Sequence, residues 1–211
     1  MVILPGTKMR CAHWRGTCPK FPCQVSGAFA HNPLSLRSPA VKGFQPIQTS
    51  SATLAGEIRK KLAERLPAKR FVHVLGVEGL AIYLAHQWQV DREKVLLAAL
   101  LHDYMKDQPK ETLEGLLEDC EDFPVTEEDR EQPNVWHGLV AAQVAKTEFG
   151  ITDHEVREAI FFHTTGVDKM GPVGLTLYVA DTLEPTRRFP GVEEMRRLIL
   201  PLGMFEAAYK T

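Results

Sequence analysis

Seven consecutive apolar residues, Val95-Leu96-Leu97-Ala98-Ala99-Leu100-Leu101, run directly into the doublet His102-Asp103. An imidazole and a carboxylate buried at the end of such a run cost several kcal/mol unless something pairs with them, on the order of 2–7 per polar group and more for a charge. A divalent metal takes both ligand types together. The pattern recurs along the chain. His73 precedes a helical stripe, His137 opens Gly138-Leu139-Val140-Ala141-Ala142, His163 closes Ala159-Ile160-Phe161-Phe162, and Asp181 closes Leu175-Thr176-Leu177-Tyr178-Val179-Ala180. Five such places argue for one shared metal site.

With 211 residues and 44% hydrophobic content, the chain suits one domain plus appendages. The net charge of -2 hides an asymmetry. Residues 1–56 carry six basic and no acidic residues, leaving 19 basic against 27 acidic over residues 57–211, a net of -8. An acidic folded region argues against a surface that coats a nucleic-acid polymer, which needs clustered Lys and Arg. It is compatible with a metal enzyme whose cation supplies positive charge locally. Cys11, Cys18 and Cys23 lie in the basic region and Cys120 in the acidic one, at spacings that match no zinc signature. They read as free thiols, so a reducing cytoplasm is the expected compartment. No stretch approaches the ~20 apolar residues of a membrane span.

Residues 1–50 hold six prolines, scattered Gly and Ser, and no sustained apolar period, which reads as disorder. The segment superficially matches an organellar transit peptide but lacks an amphipathic Arg-rich helix. A disordered tail or non-native upstream translation explains it equally well, so targeting stays open. It is not a secretory signal, because Val2-Ile3-Leu4 is cut short by Pro5. The expected division is therefore residues 1–52 as a disordered or non-native extension and residues 53–211 as the folded domain.

From about residue 53 the period is helical: Leu54, Ile58, Leu62 and Leu66 form one stripe before Pro67. Further helices are predicted over about 71–89, 91–105 with Asp91 as N-cap, and from Pro109 to Glu118. A short segment follows Thr126, and the next helix spans about 134–148, closed by Gly150. Thr152-x-x-Glu155 reads as a capping box opening a helix to His163. Two more are predicted over about 172–184 and 191–199. No segment alternates strictly and no NG or DG hairpin signal occurs, so the fold class is all-α.

At about 100° per residue, His73 shares a face with Val77, Leu80, Leu84 and Trp88, and His102 with Val95, Ala98 and Ala99. His137 falls with Val140, Ala141 and Val144, His163 with Val156, Ala159 and Ile160, and Asp181 with Gly174, Leu177 and Tyr178. Each points to the core side of its helix. His86 and His154 lie roughly 220° and 180° from His73 and His163 and are expected to face solvent. A single inward histidine is usually a core imidazole bonded to a backbone carbonyl. Four of them with two acids make that account poor.

The order His73, His102-Asp103, His137, His163, Asp181 resembles the HD-domain metal-dependent phosphohydrolases. The strings His102-Asp103-Tyr104-Met105-Lys106-Asp107, Trp136-His137-Gly138, Phe162-His163-Thr164-Thr165-Gly166 and Tyr178-Val179-Ala180-Asp181-Thr182-Leu183-Glu184-Pro185, with Arg187 and Phe189-Pro190-Gly191-Val192 beyond, are similar to the bacterial YqeK family of symmetrical diadenosine tetraphosphate hydrolases. The resemblance covers about residues 57–200. It sets the chain apart from the cyclic-dinucleotide phosphodiesterase branch, whose GYP element is absent. It also sets it apart from the alarmone hydrolases, whose Glu-Asp pair is here Lys106-Asp107. Such proteins are expected to continue through another helix beyond Thr211, so the domain reads as truncated there.

The resemblance implies an HD-domain helical bundle with a metal site at its centre. His73, His102, Asp103 and Asp181 would hold iron or a similar divalent ion, with manganese or cobalt as substitutes. His137 and His163 would hold a second ion, with Asp103 bridging, or face the phosphates. Hydroxide generated at the metal would attack a phosphorus of the tetraphosphate bridge and release two ADP. Lys106 and Arg187 could meet phosphate, and Lys106 could protonate the leaving oxygen. Asp107 would assist as an outer acceptor or proton donor, and Thr164 and Thr165 would offer donors to a phosphate, though a polar turn explains them nearly as well. The expected partner is a dinucleoside polyphosphate or other nucleotide, with no nucleic-acid polymer, no membrane and a homodimer as the candidate assembly. Two alternatives stay open: the same site acting on another nucleotide, and a nucleotide-binding module without turnover.

Overall fold

The structure, a computed structural model, describes residues 49–120 and 122–211. The expectations for residues 1–48, including Cys11, Cys18, Cys23, His13 and His31, fall outside these residues. Ten helices and no strand occur among the described residues: α1 Thr49–Arg65, α2 Ala68–Trp88, α3 Arg92–Leu101, α4 Lys110–Leu117, α5 Glu127–Arg130, α6 Trp136–Phe149, α7 His154–Phe162, α8 Pro172–Leu183, α9 Val192–Ile199 and α10 Met204–Lys210.

The apolar run explains the architecture. α3 is buried on nearly every side because α1, α2, α6, α7 and α8 all pack against it. A helix with no polar face belongs at the centre of a bundle. Around it, α2 packs on α8, α6 on α7, and α7 on α8. The α1 stripe sinks Ile58, Leu62 and Leu66 into the same core. No helix among the described residues is long and apolar enough to cross a membrane.

Local signals set several of the helix ends. Asp91 caps α3 by accepting from the backbone N–H groups of Glu93 and Lys94. Thr126 and Asp129 form a reciprocal capping box on α5. Gly150, at φ 67°, closes α6 in the left-handed conformation that glycine reaches without penalty.

Several helix ends, and one whole helix, differ from expectation. α1 begins at Thr49, four residues before the helical period becomes evident. α3 stops at Leu101 and not at 105; the chain tightens into turns over 102–107, with Tyr104 N–H bonding Leu101 O and Lys106 N–H bonding Asp103 O. The cap of α7 is Asp153, whose carboxylate accepts from Val156 N–H, so Thr152 opens no capping box. Nothing in the sequence announces α10: only Ala207 and Ala208 are buried in it, too short a stripe to show a period.

Because Asp91 satisfies two N–H groups of the central helix, Asp91→Ala should destabilise the fold by about 1 kcal/mol. Urea unfolding of the two proteins checks this. Equal midpoints and slopes would mean that the cap makes no net contribution.

Candidate metal centre

Six polar side chains converge where α2, α3, α6, α7 and α8 meet. His73 projects from the first turns of α2, and His137 from the first turn of α6. His102 and His163 occupy the residue just past α3 and α7. Asp103 follows His102, and Asp181 sits in the last turn of α8. All but Asp181 are buried. Their donor atoms form two groups, His73–His102–Asp181 and Asp103–His137–His163, each within 4.8 Å.

Asp103 stands between the groups. Its Oδ2 is 3.7 Å from His73 Nε2 and 3.8 Å from His102 Nε2. Its Oδ1 is 3.2 Å from His137 Nε2 and 3.9 Å from His163 Nε2. Asp181 Oδ1 completes the first group, 3.1 Å from His73 Nε2 and 3.9 Å from His102 Nε2.

The helix ends aim the imidazoles. His102 Nδ1 donates to Ala99 O at 2.7 Å and His163 Nδ1 to Ile160 O at 2.8 Å, the same backbone carbonyl three residues back in each case. A proton on Nδ1 leaves the Nε2 lone pair facing the centre. Gly138 makes room for the second of these rings, since a Cβ there would stand 2.9 Å from His163 Cε1.

Charge is distributed to match. Burial alone would raise the Asp103 carboxyl, yet His102, His137 and His163 hold it well below the usual carboxylate range. Burial would likewise raise Asp181, and His73, His102 and Arg187 pull it far down. Burial pushes His137 and His163 down to about 4, and lowers His102. His73 moves the other way. Burial opposes its charge, but the carboxylates of Asp181 and Glu184 outweigh that and raise it.

The polar residues expected around the site are brought in unequally. Lys106 Nζ lies 3.2 Å from His137 Nε2, and burial lowers its pKa. Arg187 pairs with Asp181, its Nε donating to the Asp181 carbonyl at 2.9 Å. Thr164 Oγ1 is 3.1 Å from His163 Nε2, whereas Thr165 is exposed on the turn beyond. Asp107, at φ 44°, faces outward and pairs with Arg70 at 3.5 Å. Sequence reasoning misses Arg70, which donates to Asp103 Oδ2 at 3.0 Å, and Glu184, which accepts from His73 Nδ1 at 3.0 Å. Arg70 lies one turn before His73 on the same helix, a spacing that could have found it. His86 and His154 are both exposed, as face counting predicts.

The HD domain profile matches residues 70–186, a span that contains all six converging side chains. The symmetrical bis(5'-nucleosyl)-tetraphosphatase of Bacillus subtilis is 38% identical over 135 residues, 64% of this chain and 72% of that protein. The protein of the same name from Staphylococcus aureus is 35% identical over 152 residues, 71% of this chain and 77% of its own length. Among solved structures, one from Clostridium acetobutylicum, described as a predicted HD superfamily hydrolase involved in NAD metabolism, superposes with a TM-score of 0.63. It is 37% identical and covers 67% of this chain and 75% of that one.

The depressed imidazoles set a pH dependence for the chelator-stripped protein. Between about 6.5 and 4 the unfolded chain binds protons at His137 and His163 that the folded chain refuses, so stability falls as pH falls through that window. The raised His73 opposes this, and the depressed carboxylates act only below about 4. The net effect from pH 7 to 4.5 should be a loss of stability, because two imidazoles are held down by burial against the one that is raised. Thermal unfolding across pH reads it, and a flat profile would contradict the arrangement.

Proposed function

The chain belongs to the HD domain family, and from that premise we propose that it hydrolyses diadenosine tetraphosphate symmetrically to two ADP, using a divalent metal centre. The observation that carries this reading is the pair of facing groups, each with two imidazoles, joined through the two oxygens of Asp103. The residues fit a metal. His73 Nε2 and His102 Nε2 are buried and meet no hydrogen-bond partner in acceptable geometry. Four imidazoles and two carboxylates are a donor set for a first-row divalent ion, with iron proposed and manganese or cobalt as substitutes.

In this reading His73, His102, Asp103 and Asp181 would hold one ion, and His137 and His163, with Asp103 beside them, would hold a second. Such a centre supplies Lewis acidity toward water and phosphoryl oxygen. The protein supplies the rest. The fixed Nδ1 bonds of His102 and His163 keep both rings from turning when a polyanion enters. Arg187 and Lys106, at the rim of the two groups, neutralise phosphate charge. The lowered pKa of Lys106 makes its proton easier to release, which suits a donor to the departing ADP oxygen. Thr164, turned toward His163, offers a hydroxyl to the same phosphate, with Thr165 beside it. Asp107 acts through Arg70, holding that guanidinium beside Asp103.

Chromatography of products after incubation with diadenosine tetraphosphate and Fe(II) or Mn(II) tests the reading directly. ADP alone is expected; ATP with AMP would replace symmetrical cleavage by asymmetrical cleavage. Asp103→Ala should lose bound metal together with at least a hundredfold of turnover, on the order of 3 kcal/mol of barrier. Full metal stoichiometry in that variant would remove Asp103 from the ligand set. His86→Ala and His154→Ala should leave turnover within about twofold, the scale of surface substitutions; a hundredfold loss in either would undo the face assignment.

A further inference from the structure

Glu184 is fully buried at the end of α8, and a buried carboxylate is tolerated only when its oxygens are satisfied. Its Oε1 accepts from His73 Nδ1 at 3.0 Å and from Thr186 Oγ1 at 2.6 Å. Its Oε2 accepts from Thr186 N–H at 2.6 Å. Arg196 ties down the backbone, donating to the Glu184 and Leu183 carbonyls. On the opposite side α2 is thinned to a glycine: a Cβ at Gly76 would collide with Glu184 Oε2.

The need for this carboxylate follows from where His73 sits. His102 and His163 lie just past their helices and find backbone carbonyls for Nδ1. His73 lies inside α2, where the neighbouring carbonyls serve the helix ladder, so a side chain must accept its proton. The acceptor supplied is charged, and a carboxylate behind a ligating imidazole both fixes the ring and raises its basicity.

We propose that Glu184 is the positioning residue of the metal centre, orienting His73 and strengthening it as a donor, with Gly76 and Thr186 as its seat. The proposal rests on the metal-binding reading above. It makes Gly76 and Glu184 functional residues although neither reaches the centre.

The test is calorimetric titration of the chelator-stripped full chain with Mn(II), alongside its thermal unfolding without metal. Glu184→Gln keeps volume and one acceptor oxygen but loses the charge; Glu184→Leu loses both. Affinity should fall in the order Glu, Gln, Leu, by about 10-fold to 100-fold. Gly76→Ala, a substitution that ordinarily favours a helix, should displace the carboxylate and weaken Mn(II) to a similar extent. Unchanged affinity in all three variants would overturn the proposal. So would a lower unfolding temperature of the stripped protein with unchanged affinity, the mark of a purely structural role. Absence of Mn(II) binding in the unsubstituted chain would instead overturn the metal reading itself.

Discussion

One buried carboxylate organises the centre of this protein. Asp103 is only 4% exposed, and desolvation on its own would favour the protonated acid. The imidazoles on both sides keep it ionised, and its two oxygens address two different histidine pairs. The helix closes at the doublet itself: His102 keeps helical backbone, with its N–H on Ala98 O, and Asp103 begins the turn beyond. The i→i-3 turns over 102–107 wrap Asp103 into the space between α2, α6 and α7, and the left-handed backbone at Asp107 ends the wrap.

The stop has an electrostatic side as well. α3 and α7 both terminate at the site, so two helix C-termini, each carrying roughly half a negative charge, point at it. Added to Asp103 and Asp181, this makes the centre a place for positive charge. Arg70, Lys106 and Arg187 each approach it from a different element and contact Asp103, His137 and Asp181 respectively. A region of net acidic character thus sets three of its cations against this centre. This explains how an acidic domain can accommodate an anionic substrate.

Much of this is legible in the sequence because burial leaves a periodic record. The inward faces of His73, His102, His137 and His163 follow from their apolar neighbours, and all four are buried, while His86 and His154 fall on the opposite faces and are exposed. Asp181 counts onto the face of Leu177 and Tyr178, and its carboxylate does reach the centre, though it is less buried than the histidines. The end of α3 is not legible, because Tyr104 and Met105 are apolar and buried, and prolong the run past the point where the helix stops. Glu184 escapes for the opposite reason. A glutamate at a helix end looks like a surface residue until the tertiary fold brings His73, 111 residues away, against it.

The glycines of α2 and α6 carry the same logic into the backbone. A glycine inside a helix costs roughly 0.5–1 kcal/mol relative to alanine, a cost that is offset where a side chain would do greater harm. Gly76 and Gly138 both meet that condition at the site, one against Glu184 Oε2 and the other against the His163 ring and Ile160 O. Gly79, three residues along α2 from Gly76, meets nothing within 4 Å. Its cost therefore has no such local justification, and Gly79→Ala should stabilise where Gly76→Ala and Gly138→Ala disturb the centre. The contrast within a single helix separates what the fold needs from what the site needs. α2 could be built with alanine at either position, but only glycine at 76 lets a carboxylate stand behind the histidine.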